Sequence, residues 1–399
     1  MGEAIWPCGN KKCDVPQAKY QKRETMPKVP VNGRVLQWAR QIRGLSIDDA
    51  ATLLGVSTPE LRAYESGSKL PLVGFLRRMS DRYQINFSSL LMPEPLPIKK
   101  PPADYRVRGR QRLRLSIETI VAREDIQEAL ELFRDLRTAT RGLIPKLSIG
   151  TAHLNENPEE VAARERKRFN VSIEEQRQWP GLGAARRRWR ERIEECGVFT
   201  YMIPLPADEL SGFSLIQDGV AAICVNDREP TEGAKIFTLF HEYCHLLLRR
   251  TGISDENGKN KVERFCNQFA ASFLIPETAL IAAVGDVETP CEFADADVKR
   301  LATRFRVSNR AMAFRLEETR LAPHGFYGRR TAPWDLPIER TPTADKQPSP
   351  VRIRIKRIGQ LHASVVLRAV KRGAINSFDA SELIGLNPAT FPKIEAYLG

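Results

Sequence analysis

The sequence predicts an α+β protein, mostly helical, with one small antiparallel sheet. Three observations carry this prediction. Apolar residues recur at helical spacing, as in Ile117, Ile120 and Val121 followed by Ile126, Leu130 and Phe133. Short β-prone runs cluster between Val198 and Val225. Proline-rich stretches, Met92-Pro-Glu-Pro-Leu-Pro-Ile-Lys-Lys-Pro-Pro and Thr341-Pro-Thr-Ala-Asp-Lys-Gln-Pro-Ser-Pro, interrupt the pattern where no helix can continue. A chain of 399 residues is expected to hold about two to four domains.

Residues 1–30 are polar and proline-punctuated and read as a flexible arm. They carry Cys8 and Cys13, a pair that lacks the second pair of a zinc site. Residues 31–97 read as a helix-turn-helix domain: Ser46 can cap one helix, Ser57-x-x-Glu60 is a capping box for the next, and Gly55 sits in the turn between them. Residues 98–195 form a basic helical connector, in which Arg186-Arg187-Arg188-Trp189-Arg190 reads as a solvated helix face rather than a phosphate-binding patch. From Gly197 the period changes. Val198–Ile203, Phe213–Ile216 and Val220–Val225 are strands, with the Asp218-Gly219 turn joining the last two as a hairpin. Helices are expected at Ala234–Arg249 and Lys261–Leu274. Residues 286–330 and 358–399 read as helix-turn-helix-like helical units, separated by a linker at 331–357.

Composition narrows the partners. The 62 Lys and Arg against 49 Asp and Glu leave +13, and 42% hydrophobic residues suffice for real cores, which excludes a disordered chain. Double-stranded DNA is the first partner such a charge suggests, and arginine-rich solubility is the other reading of it. No run approaches the ~18 apolar residues of a membrane span and the N-terminus lacks a signal peptide's apolar core, so a cytoplasmic protein without a membrane partner is expected. Seven scattered cysteines read as reduced thiols.

The chemistry concentrates in His241-Glu242-Tyr243-Cys244-His245. Residues four apart lie on one helix face, so both imidazoles can reach a single ion, and Zn2+ suits neutral imidazole nitrogens. Ile236, Phe237, Phe240, Cys244 and Leu247 supply the stripe that anchors the helix. A catalytic zinc takes a third protein ligand and leaves one position open. Glu263 on the next helix offers it, with Asn267 one turn on, placed to hydrogen-bond a ligand histidine from behind. Glu256 and Asp255 are competing acids on a polar loop with no helix to fix them. Glu242 is then free to act as general base on the water whose pKa the metal lowers. The strand Val220–Val225 is the expected edge for an extended peptide substrate. Tyr201, His324 and Tyr327 are oxyanion candidates by residue type. Residues 196–285 are accordingly expected to be a zincin-like zinc metallopeptidase domain.

Phe237-Thr-Leu-Phe-His241-Glu-Tyr-Cys-His245, Glu263-x3-Asn267-x-Phe269-Ala270-Ala271 and Leu274-Ile-Pro276 together resemble the ImmA/IrrE family of metallo-endopeptidases over Gly197–Pro276. The resemblance implies zinc held by His241, His245 and Glu263, Glu242 as general base, and as substrate a transcriptional repressor, often encoded nearby, cleaved in response to stress or mobile-element signals. Cys244 stands where the family more often has a small residue. Residues 33–91, with Leu53-Leu54-Gly55-Val56-Ser57, Tyr64-Glu65-x-Gly67 and Leu70-Pro71, resemble the XRE-type helix-turn-helix of phage-repressor-like regulators. DNA contact through Thr58, Arg62 and Lys69 is the expectation there. Glu60 and Glu65 oppose it, and leave a protein-docking or dimerisation use of the fold open. Two functions therefore stand side by side: a zinc endopeptidase coupled to a regulator-like domain, and a DNA-binding regulator or antitoxin-type protein whose zinc site is structural or inactive. The oligomeric state is left open.

Overall fold

The computed structural model describes residues 27–97, 115–206, 208–249, 256–286, 288, 290–331 and 349–398. Cys8, Cys13 and Asp255 lie outside them, as does most of the 331–357 linker. The chain divides into two compact units, residues 1–98 and 99–399.

In the first unit, helices α1 (Gly33–Ile42), α2 (Ile47–Leu54), α3 (Thr58–Glu65) and α4 (Val73–Tyr83) are followed by a 3-10 turn at Phe87–Leu91. Leu36, Leu54, Leu61, Met79 and Leu90 are wholly buried between them. The starts of α2 and α3 form as the caps direct: Ser46 accepts from Asp49 N–H and Ser57 from Glu60 N–H. The box at α3 is only half closed, because the Glu60 carboxylate goes instead to Tyr64 Oη and Lys69 Nζ. Gly55 ends α2 at φ +64°, where a β-carbon would be strained. Arg40 clamps α1 to α3 through a two-pronged pair with Glu65, both contacts at 2.8 Å.

The second unit is built on a three-stranded sheet of β1 (Val198–Ile203), β2 (Gly212–Gln217) and β3 (Val220–Asn226), in the order β1-β3-β2. β2 and β3 form the expected hairpin, with Asp218 and Gly219 both at positive φ. β1, however, pairs with β3 in parallel, Val198 opposite Ala221 through Ile203 opposite Asn226. The sheet is mixed, not antiparallel, and β3 is its centre, not its edge. The loop 204–211, tied down by Asn226 through Leu205 N–H and the Leu210 carbonyl, carries β2 one strand position away from β1. β3 then fills the slot between them. Its unbroken apolar run is the mark of a strand covered on both faces, and it is buried end to end.

One face of the sheet is covered by α8 (Leu182–Glu195) and α9 (Glu232–Leu248), with α10 (Glu256–Leu274) packed along α9 and α6 (Pro158–Phe169) beyond it. Trp189, Phe240, Phe269 and Phe273 form the centre of this core, the Phe240 and Phe273 rings stacked 4.1 Å apart. α7 (Ile173–Gln178), α11 (Glu277–Val284), α12 (Asp295–Phe305), α13 (Asn309–Glu318) and α14 (Phe326–Thr331) complete that side. The opposite face packs against α5 (Ile117–Ala139), α15 (Pro350–Ile358) and α16 (Gln360–Lys371), backed by α17 (Ser377–Ile384) and α18 (Phe391–Leu398).

The segments read as separate helical units therefore do not stand apart. Val298, Leu301, Phe305, Met312 and Leu316 share one core with α9 and α10. The Gln176 amide joins the carbonyls of Leu274 (2.9 Å) and Phe305 (2.6 Å). The arginine run in α8 is likewise divided. Arg187 and Arg188 are solvated as expected. Arg186 and Arg190 are buried: Arg186 pairs with Glu232, and Arg190 donates to Thr200 Oγ1, the Thr200 carbonyl and the Lys356 carbonyl. They are joints between α8, the sheet and α15.

Candidate metal centre

α9 starts where Thr231 accepts a hydrogen bond from Ala234 N–H. Its apolar side, Ile236, Leu239, Phe240, Tyr243, Cys244 and Leu247, is buried against the sheet, α8 and α10. That packing fixes the helix's rotation, and the remaining stripe presents His241 and His245, half-buried, toward α10. α10 starts at Glu256, earlier than the expected Lys261, so the competing acid Glu256 belongs to the helix itself. Phe265, Phe269 and Leu274 bury the inner side of α10, and Glu263 and Asn267 emerge on the face opposite the histidines.

His241 Nε2 and His245 Nε2 lie 3.2 Å apart. The Glu263 carboxylate stands 3.2 Å from the first through Oε2 and 3.5 Å from the second through Oε1. A tetrahedral ion with ligand bonds of about 2.0–2.1 Å holds its donors about 3.3 Å from one another. The two imidazole nitrogens are spaced as one edge of such a tetrahedron, and the Glu263 carboxylate reaches each of them at a similar distance through a different oxygen, so the residues present fit a zinc-sized cation with one position left over. Asn267 Oδ1 is 2.9 Å from His241 Nδ1. A carbonyl oxygen there accepts from a protonated Nδ1, which leaves Nε2 with the lone pair a metal needs.

The electrostatics point the same way. Burial disfavours the His241 imidazolium, but its hydrogen bond to Glu263 and the charges of Glu242 and Glu263 outweigh burial and hold its pKa above the ordinary value. At His245 burial is again opposed, by the hydrogen-bonded Cys266 sulfur and by Glu242, and the pKa is pushed up to about 9. A site that draws protons onto two adjacent imidazoles is one that stabilises positive charge, and a metal competes for the same lone pairs.

Glu242 is buried, and its ligand-type atom lies within 4.8 Å of those of both histidines. Its Oε2 accepts from Ser214 Oγ at 3.0 Å. Ser214 lies on β2, the half-buried strand that borders the sheet with no further strand beside it among the described residues. β2 approaches α9 closely at Gly212, where a β-carbon would stand 2.7 Å from the Cys224 carbonyl oxygen and 2.7 Å from Thr238 Cγ2. Nothing in the sequence pattern singles out Ser214 or Gly212. Their importance comes from the strand order, which places β2 beside the helix that carries Glu242.

Other expected participants lie elsewhere. Tyr201 is buried on the far face of the sheet, its hydroxyl 2.9 Å from His362 Nδ1, so it has no access to the histidine cluster. His324 is fully exposed beside Glu317, and Tyr327 bonds Arg310 at 3.0 Å. Both line a cavity of about 820 Å³ together with Arg264 and Gln268 of α10. In the first unit, Thr58 Oγ1 is committed to Asp48 (2.8 Å) and Lys69 Nζ to Glu60 (2.5 Å), and Arg62 projects into solvent.

Comparison with known families places both units. Residues 33–86 match a helix-turn-helix domain. Residues 193–317 match the IrrE N-terminal-like domain of peptidase M78, and this span encloses every residue of the histidine cluster and its strand. Comparison with curated proteins gave no match. The chain therefore carries the ImmA/IrrE-type pair, a helix-turn-helix domain followed by a peptidase M78 domain.

Proposed function

We propose that the protein is a cytoplasmic, zinc-dependent endopeptidase of the HExxH, gluzincin-like type whose substrate is another protein. The observation that carries this reading is the cluster of His241, His245 and Glu263 at the spacing of zinc ligands, with a buried carboxylate, Glu242, within 4.8 Å of both histidine nitrogens. A structural zinc site is closed by four protein ligands and needs no acid at its flank. Zinc held by these three residues would polarise a peptide carbonyl and make water acidic enough to attack it near neutral pH. Glu242, oriented by Ser214, would take the proton from that water and deliver it to the departing amine. The free edge of β2 replaces β3 as the strand along which an extended peptide pairs, because β3 has both neighbours filled.

The substrate we favour is a transcriptional repressor or a partner encoded nearby, a choice that rests on the ImmA/IrrE resemblance. The helix-turn-helix match supports duplex DNA as a second partner, with Arg62 as the side chain free to reach it. The test is incubation of the zinc-loaded protein with the products of neighbouring reading frames. Cleavage abolished by a chelator is expected. Stoichiometric zinc with no cleavage of any candidate would move the protein to the alternative, a DNA-binding regulator or antitoxin-type protein with an inactive zinc site.

A further inference from the structure

A second cavity lies along the same strand and helix. It has a volume of about 460 Å³ and is lined by Ile216 of β2, the Asp218-Gly219 turn, Arg137 of α5, Lys146, and Arg249 at the end of α9. Two registers tie it to the histidine cluster. On β2, Ile216 is two residues beyond Ser214 and shares its face, about 7 Å farther along the strand. On α9, Arg249 is the residue that ends the helix, four positions beyond His245 and turned to φ +46°, so it stands at the end of the helix nearest the second histidine. A peptide paired with β2 and cleaved beside Glu242 would therefore bring a side chain to this cavity two residues from the scissile bond.

Leu147 and Ile216 give the cavity an apolar wall, and its charged lining, Arg137, Lys146 and Arg249 against Asp218, is cationic in balance. Arg137 donates to the Asp218 and Gly219 carbonyls, which orient its guanidinium without cancelling its charge. The one acid in the lining, Asp218, has its own cation in Arg134 at 3.5 Å. Lys146 and Arg249 have no carboxylate partner among the described residues. The wall that carries Lys146 is anchored, since Ser148 N–H donates to the Cys196 carbonyl at 2.8 Å and the backbone of Lys146 packs on Gly197.

We propose that this cavity is a substrate subsite that takes an acidic side chain, Asp or Glu, two residues from the scissile bond of a peptide laid along β2. The assignment rests on the peptidase reading for its register, and its test separates the two. Zinc-loaded full-length protein carrying Glu242→Gln is titrated with two fluorescent decapeptides, alternating Ala-Glu and alternating Ala-Lys, so that every register offers a charge with the period of a strand. The Glu peptide should bind about tenfold more tightly. Adding Lys146→Glu and Arg249→Glu should abolish or invert that preference. Adding Arg187→Glu and Arg188→Glu, an equal change of net charge on the exposed face of α8, should leave it. In parallel, wild-type digestion of a random, end-blocked decapeptide library should show acidic residues enriched two positions from the cut. Equal binding of the two peptides, an unchanged preference in Lys146→Glu/Arg249→Glu, or the same loss in the α8 variant would overturn the subsite. Intact acidic preference in binding with no cleavage of any library member would keep the subsite and remove hydrolysis from the protein.

Discussion

Two glutamates in one cluster are assigned different tasks, and single substitutions separate them. Glu263 closes the donor triangle, so Glu263→Ala should lose zinc and activity together. Glu242, beside the histidines, is held by Ser214, whose hydroxyl donates to its Oε2. Glu242→Gln is nearly isosteric and should keep stoichiometric zinc by elemental analysis while hydrolysis falls by several orders of magnitude. Full zinc in the first variant would remove Glu263 from the ligand set, and undiminished cleavage in the second would remove Glu242 from the chemistry. The juxtaposition of His241, His245 and Glu263 was legible because a helix's period converts spacing into a shared face. Ser214 was not legible, since a serine on a short strand acquires meaning only when the strand order is known. A second residue-scale prediction concerns His362, buried between Tyr201 and Phe133. Burial, with the nearby Arg354 charge, pushes its pKa down to about 3, against about 6.5 in an unfolded chain. Between those values the unfolded chain binds a proton that the folded one refuses, so the contribution of His362 is full above pH 6.5 and is lost progressively as the pH falls toward 3. His362→Asn, which cannot titrate, should narrow the gap between urea midpoints measured at pH 7.5 and pH 4.5. An unchanged gap would show that other groups set the acid limb.

At the scale of elements, the helices were the readable part. Caps such as Ser46 and Ser57 and apolar stripes such as Ile236, Phe240, Cys244 and Leu247 define a helix's start and its buried side locally. The sheet was harder, because strand order is a long-range property. The Asp218-Gly219 hairpin could be read from its turn residues, whereas the parallel pairing of β1 with β3 depends on where the loop 204–211 carries the chain. One clue was present in Val220–Val225, whose lack of alternation signals a central strand. The contact between β2 and α9 gives this level its own test. Gly212→Ala inserts a methyl group against the Cys224 carbonyl and the Thr238 methyl. Overpacking of this kind costs about 1–3 kcal/mol. The melting temperature should drop by several degrees, and cleavage should fall with zinc retained, because β2 must retreat and take Ser214 away from Glu242. Adding Thr238→Ser removes one of the two obstructions and should restore part of both losses. If the double variant is no better than Gly212→Ala, the close approach of strand and helix is not what the glycine serves.

At the scale of the whole molecule, two units carry two kinds of surface, and the net charge of +13 is unevenly useful for binding DNA. Several cations are consumed inside the folds: Arg40 by Glu65, Arg190 by Thr200 and Glu194, Arg315 by Glu318. On the helix-turn-helix unit, Lys69 is held by Glu60 and Thr58 by Asp48, while Asp48 and Asp49 occupy the first turn of α2. Acidic groups and occupied cations on this surface reduce the number of phosphates it can neutralise, and each phosphate contact contributes to the salt slope. The protein should therefore bind duplex DNA weakly, with a log–log salt dependence well below that of a protein making about 6–10 phosphate contacts. Arg62, exposed on α3, is the side chain left to read a base edge, so Arg62→Ala should erase preference among sequences while reducing bulk affinity by less. Anisotropy titrations at about 50 and 200 mM salt, with specific and scrambled duplexes, measure both quantities. No binding at the lower salt would exclude DNA as the ligand of the first unit and leave its helix-turn-helix as a protein-docking fold. Steep salt dependence with preference intact in Arg62→Ala would place the DNA contacts on other cations than those of α3.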